Sequence, residues 1–416
     1  MKIALLTLGC KLNYAETSTY ERGFRDAGLE VVPWNKGADI YLVNTCSVTQ
    51  TSDGKSRNLI RKVHRINPEA LIVVTGCSAQ LRRAEIEAIE GVTRVFGATE
   101  KSRVVAETLA AAGIGAADAP AGSGAVFGAY STGERTRSFL KVQDGCDNRC
   151  AYCTVPYARG GSRNVPIEEL LCQARKIASE GVKEIVLTGV NTGDFGRTTG
   201  ESFLDLLQAL EKVEGIERYR ISSIEPNLIT DPIVDWIASG TKFQPHFHIP
   251  LQTGCDELLA RMGRRYDTAF FAARLDYIRS RMERPGAPKV FFGIDVMAGL
   301  PGETDALFER THAFLRDVAR PAFIHVFPYS RRPGTPAATM PDQVPDSVKK
   351  ARVAALETLC AELHVDFERA NRGIPMQVLF ESKEQGGMMG GYTGNYLRVT
   401  RPYDPALVGR ITDIIY

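Results

Sequence analysis

Six times between residues 138 and 336 a short apolar run gives way to a stretch of helical spacing. The runs lie near Phe139–Val142, Glu184–Leu187, Tyr219–Ser223, Phe247–Leu251, Val290–Met297 and Phe323–Phe327, with helical patterns such as Ile167–Ser179, Phe203–Val213 and Ala306–Val318 between them. Parallel strands need long crossovers, and a helix is the usual one, so this alternation confines the segment to an α/β fold with its ligands at the carboxyl ends of the strands.

The first hundred residues alternate in the same way. Apolar runs at Ile3–Leu8, Tyr41–Val43 and Leu71–Val74 are separated by the helical patterns Tyr14–Ala27 and Lys55–Arg65, which predicts an open parallel-sheet domain over residues 1–110. Three of its strands end alike, in LLTLGC at Cys10, LVNTC at Cys46 and VVTGC at Cys77. Carboxyl ends of parallel strands share one edge, so these three thiols should converge. An Ala-, Gly- and Ser-rich stretch at 111–134 reads as a linker, followed by the six-strand domain at 135–372, which closes on a charged helix at Ser347–Asn371. Residues 373–416 change character to β-rich runs broken by glycine pairs, the pattern of a small antiparallel β domain. There Tyr396 and Arg398, beside Tyr392 and Asn395, interleave rings and charge as a single-stranded nucleic-acid surface can, or as ordinary strand packing does.

Composition adds mainly exclusions. A net charge of +2 gives no bulk field for nucleic acid, so any such contact must be a local patch. No apolar run is long enough to span a membrane, and the start of the chain reads as strand, turn and helix rather than a secretion signal, which leads us to expect a cytoplasmic protein. Nine cysteines in that compartment argue for metal or redox chemistry. Cys146, Cys150 and Cys153 form a C-x3-C-x2-C loop directly after the first strand of the second domain, with Tyr152 before the last cysteine. Three thiolates can hold three irons of a four-iron, four-sulfur (4Fe-4S) cluster and leave the fourth open, whereas a structural zinc site closes with a fourth ligand. Cys172, Cys255 and Cys360 have no such partners and read as small buried or half-buried residues.

The cysteine loop resembles the radical S-adenosylmethionine (SAM) superfamily. From end to end, with TLGCKLNYAET, KVQDGCDNRCAYCTVPYARG, HIPLQTGCDELLARMGRRY, DVMAGLPGET and HVFPYSRRPGTPAA, the chain resembles the methylthiotransferase family, nearest its threonylcarbamoyladenosine tRNA group. The resemblance implies an auxiliary-cluster domain, a (βα)6 partial barrel and a TRAM-like RNA-binding module, in that order. It implies two 4Fe-4S clusters, one on Cys146, Cys150 and Cys153 that cleaves SAM, the other on Cys10, Cys46 and Cys77 that supplies sulfur. It implies SAM contacts at Tyr152, Gly189, Asn191, Ser223, Glu225 and Gln252. The reaction implied is insertion of a methylthio group at carbon 2 of N6-threonylcarbamoyladenosine 37 in a tRNA anticodon stem-loop, served by a flavodoxin- or ferredoxin-type electron donor and carried out by a monomer. Within the family, N6-isopentenyladenosine 37 or a ribosomal-protein aspartate is the alternative substrate; a non-catalytic iron–sulfur carrier or RNA-binding sensor is the alternative of another class. Arg57, Arg61 and Arg65 on a helix, and the pairs Arg264-Arg265 and Arg331-Arg332 after barrel strands, are the expected phosphate contacts. His246 and His248 read as a strand and its packing.

Overall fold

The computed structural model describes residues 1–47, 49–115, 126–132 and 136–416. In the N-terminal domain, strands Lys2–Thr7, Glu30–Val31, Ile40–Thr45, Leu71–Gly76 and Val92–Val95 form one parallel sheet, with Ile40–Thr45 central between Lys2–Thr7 and Leu71–Gly76. The central strand is buried throughout because helices cover both faces. Ile40 and Leu42 pack with Tyr20 and Phe24 of helix Lys11–Asp26, while Tyr41 and Val43 pack with Ile60 and Val63 of helix Gln50–Ile66.

The second domain carries six parallel strands in sequence order, Arg137–Lys141, Glu184–Thr188, Arg218–Ile221, His246–Gln252, Phe291–Ala298 and Phe323–Pro328. Ladders join the first three and the last three, and a bridge from Tyr219 to Phe243 spans the seam. Alternation along the fourth strand sorts its side chains. Phe247, Ile249 and Leu251 enter the core with Phe271 and Leu275, whereas His246 and His248 face the lumen. Helix Asp346–Ala370 lies across the last strand and adds Leu356, Leu359 and Leu363 to that core. The (βα)6 partial barrel expected from the sequence is present.

Two boundaries differ from expectation. Where it is described, segment 111–134 is not a free linker: Ala129–Tyr130 pairs antiparallel with the first barrel strand. Arg22 of helix Lys11–Asp26 lies 3.7 Å over the Tyr130 ring and donates to its carbonyl at 2.9 Å, fastening the N-terminal domain to this edge. A two-residue strand is too short to leave a periodic signal; residues 116–125, 133 and 134 of the stretch lie outside the described residues. The helix expected at Ala306–Val318 is α-helical over Asp305–Ala313 and turns π-helical over Phe314–Ala319, a one-turn change that spacing cannot register.

Residues 375–415 form an antiparallel sheet of strands Pro375–Gln385, Met388–Thr393, Arg398–Pro402 and Ile411–Ile415. It caps the amino-end rim of the barrel. Arg220 donates to the carbonyls of Gly394 at 2.7 Å and Thr393 at 2.8 Å, and Arg137 pairs with Glu381 at 2.7 Å. No helix among the described residues is long and apolar enough to cross a membrane.

Candidate active site: two cysteine trios beside one barrel

Cys10, Cys46 and Cys77 follow three neighbouring strands of the N-terminal sheet, so the edge brings them together as the strand endings predict. The turns that allow this are specific. Gly9 has φ +104°, and a β-carbon there would lie 2.7 Å from Cys46 Cβ and 2.8 Å from its Sγ. Gly76, before Cys77, has φ +100° and lies against the Thr45 backbone. The Asn13 amide ties two strand ends by donating to Leu8 O at 2.8 Å and Thr45 O at 2.9 Å.

Behind this edge lies a buried charge network that joins the two domains. Glu16 Oε1 accepts from Lys101 Nζ at 2.7 Å, Lys141 Nζ at 2.7 Å and Arg159 Nη1 at 3.1 Å. Asp144 pairs with Lys141 and Arg159 at 2.7 and 2.8 Å, and Arg159 Nη2 reaches Asn13 Oδ1 at 2.6 Å. Burial alone would raise both carboxyls, yet the surrounding cations hold Glu16 and Asp144 well below the ordinary carboxylate range. Burial disfavours the charge on Arg159, but Asp144, Glu16 and the thiols of Cys77 and Cys10 together hold its guanidinium firmly protonated. Arg163 also pairs with Asp144 at 3.5 Å, so four cations meet two carboxylates and leave an excess of positive charge beside the thiols. That excess suits an anionic three-thiolate cluster.

Cys146, Cys150 and Cys153 follow the first barrel strand at the carboxyl mouth. Gly145, at φ +73°, makes the sharp entry, pressed against the Gly161 carbonyl. Backbone N–H groups of Asn148 and Val155 each donate to a sulfur at 3.4 Å, those of Cys146 and Cys153. Arg264 donates to Cys150 Sγ at 3.2 Å and pairs with Glu225 at 2.7 Å; Glu225 also accepts from Asn148 at 2.8 Å. Burial pushes the Cys146 thiol up to about 11 and the Cys153 thiol up to about 12, so metal coordination must drive their deprotonation. Among the described residues neither trio gathers its sulfurs within 4.8 Å of one another. A single zinc would hold three thiolates about 4 Å apart, closer than either trio stands.

Of the expected SAM contacts, Asn191 and Glu225 come together beside this loop. Glu225 N donates to Asn191 Oδ1 at 3.1 Å, and Gln143 Oε1 accepts from Val190 N and Asn191 N at 2.9 and 3.0 Å. Gly189 lies where a β-carbon would approach that same Gln143 oxygen at 3.0 Å. Tyr152 is within 3.4 Å of Arg264. Ser223 accepts from Thr192 N through its carbonyl at 3.0 Å, and Gln252 ends the fourth strand at φ +74°.

Three expected RNA contacts point inward. Arg264 serves Cys150 and Glu225, as above. Arg332 is buried, donating to Asp53 at 2.6 Å and Ser47 at 2.7 Å, and so ties the sixth barrel loop to the residue after Cys46. Tyr396 stacks on Tyr392 and packs against His246, Phe291 and Arg220 where the β domain meets the barrel. Each of these three has its ring or guanidinium filled by protein groups, a state that local sequence does not reveal. Arg61, Arg65, Arg265, Arg331 and Arg398 are exposed, and Arg57 is half-buried beside Glu85 at 3.8 Å. Cys255 and Cys360 are buried as expected, whereas Cys172 is exposed. The sequence does not mark Glu16, Lys101, Lys141, Asp144 and Arg159 as a group; the charge of Lys141 within the apolar run Phe139–Val142 is the one signal it carries.

Residues 2–97 match the model of the uncharacterized protein family UPF0004, and residues 140–315 that of the radical SAM superfamily. The chain is 37% identical over 434 residues to the threonylcarbamoyladenosine tRNA methylthiotransferase MtaB of Bacillus subtilis, covering 99% of this chain and 93% of that protein. The chain belongs to the methylthiotransferase family of radical SAM enzymes. Another relative of this methylthiotransferase, the tRNA-2-methylthio-N(6)-dimethylallyladenosine synthase of Carboxydothermus hydrogenoformans, is 30% identical over 402 residues, with 92% of this chain and 88% of that protein covered. Among solved structures, the radical SAM methyltransferase TsrM from Kitasatospora setae, with cobalamin and a 4Fe-4S cluster bound, shares the fold at a TM-score of 0.58 and 15% identity, over 81% of this chain and 77% of that one. A methylthiotransferase uses two 4Fe-4S clusters and SAM.

Proposed function

We propose that the enzyme places a methylthio group on carbon 2 of N6-threonylcarbamoyladenosine 37 in tRNA, with Cys146, Cys150 and Cys153 holding the SAM-binding cluster and Cys10, Cys46 and Cys77 the auxiliary one. The observation that carries this division is the position of Cys10. It stands in the wall of a cavity of about 1020 Å³ that occupies the barrel lumen, so a base in that lumen meets the Cys10 corner of the strand-end trio. When bound, the clusters and SAM supply the radical and the sulfur that an unactivated aromatic C–H requires.

The chain's own residues do the positioning. Asn191, Glu225 and Asn148 form a polar ledge at the carboxyl ends of the second and third barrel strands, suited to the amino and ribose groups of SAM. Tyr152, Gly189, Ser223 and Gln252 are the further SAM contacts of this reading. Arg264 holds Glu225 and one cluster sulfur in a single geometry. The exposed Arg61, Arg65, Arg265, Arg331 and Arg398, with Arg57, supply charge for the phosphates of the anticodon stem-loop. Helix Gln50–Ile66 begins beside the Arg331 loop, with Gln50 N donating to Ser330 Oγ at 3.3 Å, which supports one continuous basic rim. One-electron reduction of a cluster calls for a flavodoxin- or ferredoxin-type donor. We place the reaction in the cytoplasm, with a monomer as the working unit.

The test is mass spectrometry of nucleosides from tRNA incubated anaerobically with the cluster-loaded protein, SAM and a reductant. The pool offers both threonylcarbamoyl- and isopentenyl-adenosine without the methylthio mark. We expect the mark on the threonylcarbamoyl nucleoside. Its appearance on the isopentenyl nucleoside alone would overturn the substrate. Formation of 5′-deoxyadenosine with neither nucleoside marked would point to a protein substrate.

A further inference from the structure

We infer that the lower barrel lumen is the binding site for the charged N6 substituent of the substrate, with Lys11 as its carboxylate partner; the inference rests on the threonylcarbamoyl reading above. Lys11 directly follows Cys10 and opens helix Lys11–Asp26. Its side chain is exposed to water and lines the lumen cavity. The same cavity is walled by Arg220, His248, His325 and Tyr396.

The charges around Lys11 are already engaged. Arg220 is held by Glu184 at 2.7 and 3.3 Å, Arg137 by Glu381 at 2.7 Å, and Asp295 by His248 at 2.6 Å. Lys11 itself makes no hydrogen bond or salt bridge among the described residues. A lysine that lines a cavity and is held by no acid is free to pair with an anion that enters it.

The chemistry of the substituent meets that vacancy. In an N6-carbamoylated adenine the distal ureido N–H can hydrogen-bond to ring N1, which folds the amino-acid portion along the N1 edge, next to carbon 2. A base that turns carbon 2 toward the strand-end trio therefore carries its carboxylate toward the residue beside Cys10. The Asp295–His248 pair, with His325 across the ladder from Asp295, offers acceptor and donor groups for the threonyl hydroxyl. An isopentenyl group would bring neither a carboxylate nor a hydroxyl and would leave Lys11 without an anionic partner. Sites built to bond a polar group reject the analogue lacking it far more strongly than apolar pockets discriminate by size.

The experiment uses the full, cluster-loaded enzyme and two anticodon stem-loops, one with N6-threonylcarbamoyladenosine at position 37, the other with its carboxylate converted to a neutral methylamide. Wild type should lose about 10- to 100-fold in kcat/KM on the amide. Lys11→Met should lose a similar factor on the acid and show little further loss on the amide, with Lys11→Arg recovering part of it. Fluorescence anisotropy of the same RNAs should give the same pattern in binding. Visible absorbance reports that both clusters are loaded; where methionine disturbs the neighbouring Cys10, Lys11→Gln serves instead. A Lys11 variant that keeps the wild-type preference for acid over amide would overturn the inference while leaving the substrate intact. Wild type that marks only isopentenyladenosine would overturn the substrate reading and this inference with it.

Discussion

Glu16 gathers two lysines and an arginine where water is excluded, and Asp144 shares all three of those cations. Glu16→Gln would leave three buried cations facing one carboxylate. Removing one partner of a buried ion pair costs about 3–5 kcal/mol, and chemical denaturation should show a loss in that range. The pH dependence follows from the same contacts. Because the cations hold the Glu16 carboxyl below its ordinary value, its stabilisation is complete above about pH 4.3 and is lost only as pH falls through the lower folded value. The gap between wild type and Glu16→Gln should therefore be flat at neutral pH and shrink on acidification. Arg264 makes a second case. Hydrogen bonds to cluster sulfurs raise reduction potential, so Arg264→Met should retain iron but shift the potential of the Cys146–Cys153 site downward in an EPR-monitored redox titration. At this scale the sequence was only partly legible. The six cysteines of the two trios announce themselves by spacing or by strand ending. Glu16 and its partners are 85, 125 and 143 residues apart, so nothing local marks them. Arg264 and Arg332 look like phosphate contacts because arginines in strand-end loops usually face solvent, and here they face a carboxylate instead.

Elements set where the thiols arrive. Parallel pairing of Lys2–Thr7 with Ile40–Thr45, and of Ile40–Thr45 with Leu71–Gly76, puts Cys10, Cys46 and Cys77 on one edge, which alternation of strand and helix was sufficient to predict. The turn geometry at that edge was not predictable, since it depends on how near Gly9 comes to Cys46. Gly9→Ala combines an unfavourable φ with a clash against Cys46, a proposed cluster ligand. Iron analysis of that variant should show loss of one cluster's iron, with SAM cleavage preserved. The short strand Ala129–Tyr130 illustrates the opposite limit: its place is fixed by pairing to the first barrel strand and by Arg22, contacts that low-complexity composition conceals.

Across the whole molecule, three domains enclose one lumen. The N-terminal helix fills its open side, the cysteine loop borders its mouth, and the C-terminal sheet closes its floor through Arg137, Arg218 and Arg220. The C-terminal domain is therefore part of the barrel's construction. Deleting residues 373–416 should lower the thermal stability of the barrel itself, because the buried Arg218 and Arg220 would lose their carbonyl partners; a truncation that weakened RNA binding with no change in melting would contradict this. The central claim is that two trios do two jobs around this lumen. It is tested most directly by replacing Cys10, Cys46 and Cys77 together with alanine, in a protein that still shows the absorbance of one cluster, and measuring 5′-deoxyadenosine and methylthiolated nucleoside in one anaerobic reaction. The account predicts continued 5′-deoxyadenosine formation with no methylthio product. Loss of both activities in that folded, cluster-bearing variant, or survival of the methylthio product, would contradict it.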